Sequence, residues 1–384
     1  VSGPIDRRAD RMGAGRREGE QIFVDELAQF AGRVADRRVR ELAERAAEPL
    51  RVAVHGRPGT GCSTVARALN AAGTSSGITV TPPGCAADVE VYVTVEVIKP
   101  EDRDAVAAIA GQAGHPVVVV LNKADLAGFA GTGPMAAAHA RCARFAALLG
   151  VPVEPMIGLL AVAALDDVDG CLGKDSWAGL RALAAHPGAS GCLDGSFDGF
   201  LTAQLPVPTT VRLRLLDTLD LFGIALGVAA VCRGGTAEQL RALLRRVSGV
   251  DAVVDKVVAA GAEVRYRRVL EAVAELEALA VADRRLGDQI GEFLASDDTV
   301  LARMAAAVDM ARLAGLQPEP DTVSDEPVVH LERARRWQRH NLENGGSGPV
   351  SDVRRACGAD ITRGSLRLWA RAGGAGRSQS GERR

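Results

Sequence analysis

An α/β fold is predicted, with a parallel sheet covered by helices on both faces and an all-helical region after it. Three observations carry that expectation. Between residues 50 and 158, short runs of β-branched and apolar residues alternate with segments of helix length. One of these runs, Pro116–Leu121 (PVVVVL), is apolar throughout, as a strand buried on both faces must be. After about residue 190 the strand signals stop and only helical periods remain.

Taken in order, residues 1–19 are charged, carry no apolar stretch and are expected to be disordered, with no secretory leader. From Glu20 to Glu48, Phe23, Leu27, Phe30, Val34, Leu42 and Ala46 recur at helical spacing until Pro49 stops the pattern. Segment 20–49 is therefore expected as an amphipathic helix packing on the helical domain. Leu50–His55 reads as a strand, 63–72 as a helix, and Ile78–Thr81 as a short strand. Asp88–Val97 (DVEVYVTVEV) is a third strand, and Pro100–Gly111 a helix opened by Glu101 and Asp102. Pro116–Leu121, a helix over 134–149 and the strand Val151–Ile157 complete a domain assigned to residues 50–190. Helices are expected over Thr209–Val231, Ala237–Val247, Ala252–Ala260, Glu263–Ala282 and Thr299–Leu316, forming a helical bundle over 195–317. Residues 318–384 read as a Pro-rich linker, a short amphipathic stretch Val328–Asn341 and a basic, mostly disordered tail.

Composition narrows the functional classes. The 384 residues hold 47% apolar and 24% charged side chains with a net charge of -2, so no global field draws nucleic acid or membrane. The seven cysteines form no C-x-x-C pair and no zinc spacing, so reduced thiols in a cytoplasmic protein are expected, with a peripheral membrane location as the lesser alternative. The uncharged run Leu221–Cys232 has the length of a core helix. The arginine-rich C-terminal stretch is expected to solubilise, with nucleic acid or anionic membrane as a weaker expectation. The histidines form no triad. Asp166–Asp169 reads as a solvated turn, and Gly223 with Gly227 as a close helix contact.

The chemistry concentrates in two short motifs. Gly56-Arg57-Pro58-Gly59-Thr60-Gly61-Cys62-Ser63-Thr64 follows a strand and opens a helix, matching the phosphate-binding pattern G-x-x-x-x-G-K-[ST] except at Cys62, where lysine belongs. Glycines let backbone N–H groups face a phosphate, and a helix N-terminus adds about half a positive charge. Asn122-Lys123-Ala124-Asp125 directly follows the buried strand. This N-K-x-D element at a strand end, downstream of such a loop, resembles the guanine-reading element of P-loop GTPases.

Over residues 50–158 the chain resembles that family, and its flanking helices are similar in layout to bacterial dynamin-like or septation-type GTPases. The resemblance implies GTP or GDP as ligand, with Gly56, Gly59, Gly61, Ser63 and Thr64 around phosphate. It also implies Ser63 on Mg²⁺, and Asn122, Lys123 and Asp125 on guanine. The departures lie on the γ-phosphate side. Cys62 replaces the lysine, and Thr81-Pro82-Pro83-Gly84 replaces D-x-x-G. The segment between Cys62 and Asn122 is shorter than in small G proteins, and Pro155–Gly158 does not match S-A-K. Arg57 is the first candidate to replace the lysine, with Lys99 or Arg103 behind it. Cys62 has two readings, a thiolate favoured by the helix N-terminus and a thiol that fills the gap. The expectation is a guanine-nucleotide-binding protein with slow or absent hydrolysis, at most a weak GTPase, acting as a switch or scaffold. It would have a protein partner or self-associate through its helical domain. The alternatives are a nucleotide-free interaction module and a dynamin-like membrane-associated GTPase with an apolar tip at Leu221–Val231.

Overall fold

The computed structural model describes residues 19–82, 84–111, 116–128, 133–166, 172–187, 196–316, 326–343 and 349–373. The expected disorder before Gly19, Pro83, Asp167–Asp169, the linker at 318–325 and the last residues of the tail lie outside them.

Two helices, α1 (Gly19–Val34) and α2 (Arg37–Ala46), stand where one was expected. Ala35 turns left-handed at φ 53°, and the Asp36 side chain then caps α2 by accepting from the Arg38 N–H at 2.8 Å. An N-cap aspartate satisfies a donor the helix itself cannot, so the break has a local cause that the apolar period conceals.

The α/β part runs β1 (Leu50–Gly56), α3 (Cys62–Gly73), β2 (Ile78–Val80), β3 (Val89–Val95), α4 (Pro100–Ala110), β4 (Val117–Asn122), α5 (Pro134–Leu149) and β5 (Val153–Pro155). Every strand pairing is parallel, in the order β2-β1-β3-β4-β5. Tyr92, Val117, Val119 and Leu121 pack with Val106 of α4 and Cys142 of α5. Val91, Val93, Val118 and Val120 alternate onto the opposite face and are also fully buried. Both faces of the sheet are therefore covered, which is why β4 reads as an unbroken valine run.

Three helices that the sequence did not announce follow: α6 (Gly158–Leu165), α7 (Lys174–Ala184) and α8 (Phe197–Thr202). Then come α9 (Thr209–Cys232), α10 (Ala237–Ser248), α11 (Val250–Ala282), α12 (Arg284–Ala295), α13 (Asp297–Leu313), α14 (Pro327–Glu343) and α15 (Pro349–Arg371). By length and composition α9 is long and apolar enough to cross a membrane, although the run Leu221–Cys232 alone is not. In this fold it packs closely on protein: a Cβ on Gly223 would lie 2.6 Å from Leu160, and one on Gly227 would lie 2.9 Å from Leu180. The G-x-x-x-G pair is thus an internal helix contact.

The chain forms two compact units, Pro49–Ala260 and a second made of Val1–Glu48 with Gly261–Arg384. This moves the boundary expected near residue 190. Helices α9 and α10 share a core with the loops and helices after β4 and β5, through Leu215, Leu219, Leu240 and Leu244 against Ala124, Ile157 and Leu160. Their apolar faces are buried inside the α/β unit, so they do not belong to a separate bundle. Gly261 does not split α11, whose 33 residues run unbroken.

In the helical unit, Phe23, Leu27 and Phe30 of α1 join Tyr266, Phe293, Met310, Cys357 and Ile361 in one core. The Phe30 and Phe293 rings stack with centroids 4.4 Å apart. The tail expected to be disordered instead supplies α15, whose Val353, Cys357 and Ile361 recur every fourth residue and are buried. Arg303 donates to Asp360 Oδ1 at 2.7 Å, and the Tyr266 hydroxyl donates to Asp360 Oδ2 at 2.9 Å, so the buried carboxylate is satisfied from two helices.

Glu20, in the first turn of α1, lies 3.4 Å from Arg265 and its side chain is 17% exposed. Burial pushes its carboxyl from 4.5 up to about 7, against the opposing charge of Arg268. Between those values the folded chain keeps a proton that the unfolded chain releases. Stability of the helical unit should therefore fall as pH rises from about 4.5 to about 7 and level off above, by at most about 3 kcal/mol. Urea midpoints across this range should show the slope in the native chain and lose it in Glu20→Gln.

Candidate functional site

Parallel strands place all their C-terminal loops at one end of the sheet, and the crevice opens where the strand order reverses. Here that point lies between β1 and β3, since the chain goes from β1 outward to β2 and then returns to the other side of β1. The loop Gly56–Gly61 leaves β1 there, Glu96–Lys99 leaves β3, and Asn122 ends β4.

The first loop is closed on itself. Pro58 and Gly59, the latter at φ 84°, occupy the middle of a turn in which the Thr60 N–H donates to the Arg57 carbonyl at 3.2 Å. Proline second and a left-handed glycine third is the sequence a type II turn requires. Thr60 is 1% exposed, and its hydroxyl donates to the same carbonyl at 2.8 Å. Gly61 caps α3 in left-handed conformation with no side-chain cap bond. The first-turn N–H groups of α3, from Cys62, Ser63 and Thr64, have no intrahelical acceptor and point at whatever occupies the helix end.

Asn122, 3% exposed, joins this loop to two others. Its Nδ2 donates to the Thr60 carbonyl at 2.9 Å, and its Oδ1 accepts from the Gly158 N–H at 2.9 Å. The amide passes so close that a Cβ on Gly61 would lie 2.5 Å from Nδ2, which fixes glycine at 61. Lys123, left-handed at φ 54°, donates from Nζ to the Gly59 carbonyl at 3.3 Å. Asp125 lies in the 3-10 turn Ala124–Ala127. Burial above all raises its carboxyl above its ordinary value, and the charge of Asp220 adds to this against Lys123. The structure thus brings Gly59, Thr60, Gly61, Asn122 and Lys123 together, with Asp125 beside them.

Arg57, the first candidate to replace the lysine, is engaged with another element. Its guanidinium grips Asp102 with Nε to Oδ1 at 2.7 Å and Nη2 to Oδ2 at 3.1 Å, facing away from its proposed substitute role. Asp102 is fully buried and also accepts from the Tyr92 hydroxyl at 2.8 Å and the Lys99 N–H at 2.9 Å. Burial pushes that carboxyl up, but the Arg57, Lys99 and Tyr92 bonds prevail and hold it below its ordinary value. In the sequence Asp102 reads as a helix opener, and its place three residues after Lys99, at a capping position, is the signal of its second role. Nothing local in the sequence marks Gly158 as the partner of the Asn122 side chain.

Cys62 is half-buried with Sγ 3.3 Å from the Thr60 hydroxyl, so it fills the space inside the loop. Ser63 is exposed and Gly56 ends β1. Thr81, in the aspartate position of D-x-x-G, turns both its N–H and its hydroxyl onto the Val52 carbonyl, at 2.8 and 3.3 Å. No group of three or more metal-ligating side chains occurs among the described residues. Ser63, the residue expected on Mg²⁺, is the second residue of α3 and is exposed.

The sequence matches no protein-family model and no curated protein. What fold and site define is a class of architecture. It is an α/β unit with a glycine turn, an asparagine bridge and a lysine clamp meeting at one end of a parallel sheet, joined in sequence to a helical unit.

The Arg57–Asp102 pair should be the costliest polar contact to break in this unit. Arg57→Ala leaves a buried carboxylate without counter-charge, for an expected loss of about 3 kcal/mol in urea unfolding. Arg57→Lys, which keeps the charge and loses the fork, should lose less. Equal stability of all three chains would show that the pair contributes nothing.

Proposed function

We propose that the α/β unit binds a guanine nucleotide, with slow or absent hydrolysis of a triphosphate. The observation that carries this reading is the Asn122 bridge from Thr60 to Gly158, with Lys123 on Gly59. It couples the turn that would hold phosphate to the turn that would read the base. Asp125 would accept from the N–H donors of guanine, and the free N–H groups of α3 would take the phosphates. Slow hydrolysis follows from Cys62 in place of lysine and from a Thr81 hydroxyl committed to Val52.

Labelled GDP should bind at concentrations below about 1 mM, and ADP should not compete. Cys62→Lys should tighten GTP by about tenfold or more through a new charge-assisted contact. Failure of GDP to bind at all would end this reading.

A second reading, a nucleotide-free interaction module, is favoured by one observation: the Thr60 hydroxyl closes the loop on the Arg57 carbonyl and the Arg57 guanidinium is taken by Asp102. It expects no thermal shift with GDP, whereas a ligand at a hundred times its Kd adds about 2.7 kcal/mol.

A further inference from the structure

Where α9, α10 and the start of α11 meet the start of α5, the α/β unit carries a pocket of about 680 Å³. That volume lies within the range of small-molecule sites, about 300–1,000 Å³. Its floor is apolar. Helix α9 turns Gly223 and Gly227 onto Leu160 and Leu180, and the adjoining stripe, Phe222 and Leu226 one turn apart, faces the pocket. Met135 of α5 and Val247 of α10 line it too, and all four side chains are only partly buried against the core behind them. The backbone fixes the walls. Gly249, at φ 75°, reverses the chain between α10 and α11, and a Cβ there would lie 2.6 Å from the Pro155 carbonyl oxygen and 3.2 Å from Met135 Cε. The Ser248 carbonyl accepts from the Ile157 N–H at 2.8 Å, which fastens this reversal to the chain leaving β5.

Four ionisable side chains reach this pocket, His139, Arg245, Arg246 and Asp251. Arg245 and Asp251 neutralise each other, with Nη2 2.8 Å from Oδ1 and Nε 3.1 Å from both oxygens. The Arg246 side chain has no ion-pair partner among the described residues. The wall of an apolar pocket thus presents one cation without a counter-charge. We propose that this pocket binds a small amphipathic carboxylate, its apolar chain on Phe222, Leu226 and Met135 and its acid group on Arg246. The chain gains by leaving water, and the guanidinium takes the acid in a charge-assisted pair. A cationic head on a similar chain would meet Arg246 with like charge. Because Arg245 is already committed to Asp251, one acid group matches the wall better than two. None of the residues assigned to a nucleotide lines this site.

The test titrates the full chain by calorimetry with decanoate and with decyltrimethylammonium, which carry similar chains and opposite head charges. Decanoate should bind with a Kd below about 1 mM, and the cation at least about fivefold more weakly. Arg246→Ala should weaken decanoate about fivefold, the scale of an exposed ion pair, and should not weaken the cation. Ala242 lines the pocket at an exposed position of α10. Ala242→Trp should therefore fill the space, keep the wild-type melting temperature and abolish decanoate binding. Absence of decanoate binding to the wild type, equal affinity for both heads, or decanoate retained by Ala242→Trp would overturn the proposal. Unchanged decanoate affinity in Arg246→Ala, or equal weakening of both ligands, would overturn it as well.

Discussion

The Asn122 amide holds three loops in place, and the arrangement at the C-terminal end of the sheet depends on it. A buried amide must satisfy both its donor and its acceptor, and here the partners come from the turn after β1 and from the start of α6. Asn122 pairs with Val95 at the last position of the β3–β4 ladder, so sheet register aims the amide into the gap between those loops. Without it the Thr60 carbonyl and the Gly158 N–H would lose their partner. Gly61 follows from the same constraint, since a side chain there would collide with the amide.

A second fastening works beside the first. The Arg57 fork on Asp102 joins the loop after β1 to the start of α4, across the point where strand order reverses. Tyr92 and the Lys99 N–H complete the coordination of that carboxylate, so the ionic contact is buried and fully paired. Together the amide and the ion pair fix the turn at both of its ends. The loop conformation is thus set by the protein before anything binds, which lowers the ordering cost for a ligand that fits and raises it for one that does not.

Much of this was legible in the sequence, and what was not has physical causes. The unbroken valine run of β4 and the β-branched run of β3 announced a parallel sheet, because burial on both faces leaves no alternative composition. Asn122 and its three followers were visible because a strand end, a polar residue and an acid at fixed spacing form a local pattern. Arg57's partner was hidden, since Asp102 lies 45 residues away and looks like an ordinary helix opener. Helix α15 was hidden by composition: its apolar residues sit every fourth position among arginines and glycines that suggested a solvated tail. The boundary between the units was misplaced for a related reason. Helical periodicity says that α9 has an apolar face, but only the packing of Leu215 and Leu219 on Leu160 says which unit covers it.

The pattern of committed and uncommitted groups bears on whether such a protein could switch. A triphosphate switch needs an element with two arrangements, one held by the terminal phosphate and one not. On the phosphate side, Thr81 spends its hydroxyl on Val52, Arg57 is held by a buried acid, and Cys62 packs against Thr60. None of these groups gains from a terminal phosphate without first giving up a bond it already has. On the side proposed to read a base, Lys123 and Asn122 already brace the turn through the Gly59 and Thr60 carbonyls. A ligand held mainly by the base side and the α3 N-terminus would meet the same protein as a diphosphate or a triphosphate. With no differential interaction between the two forms, the equilibrium between conformations would not move.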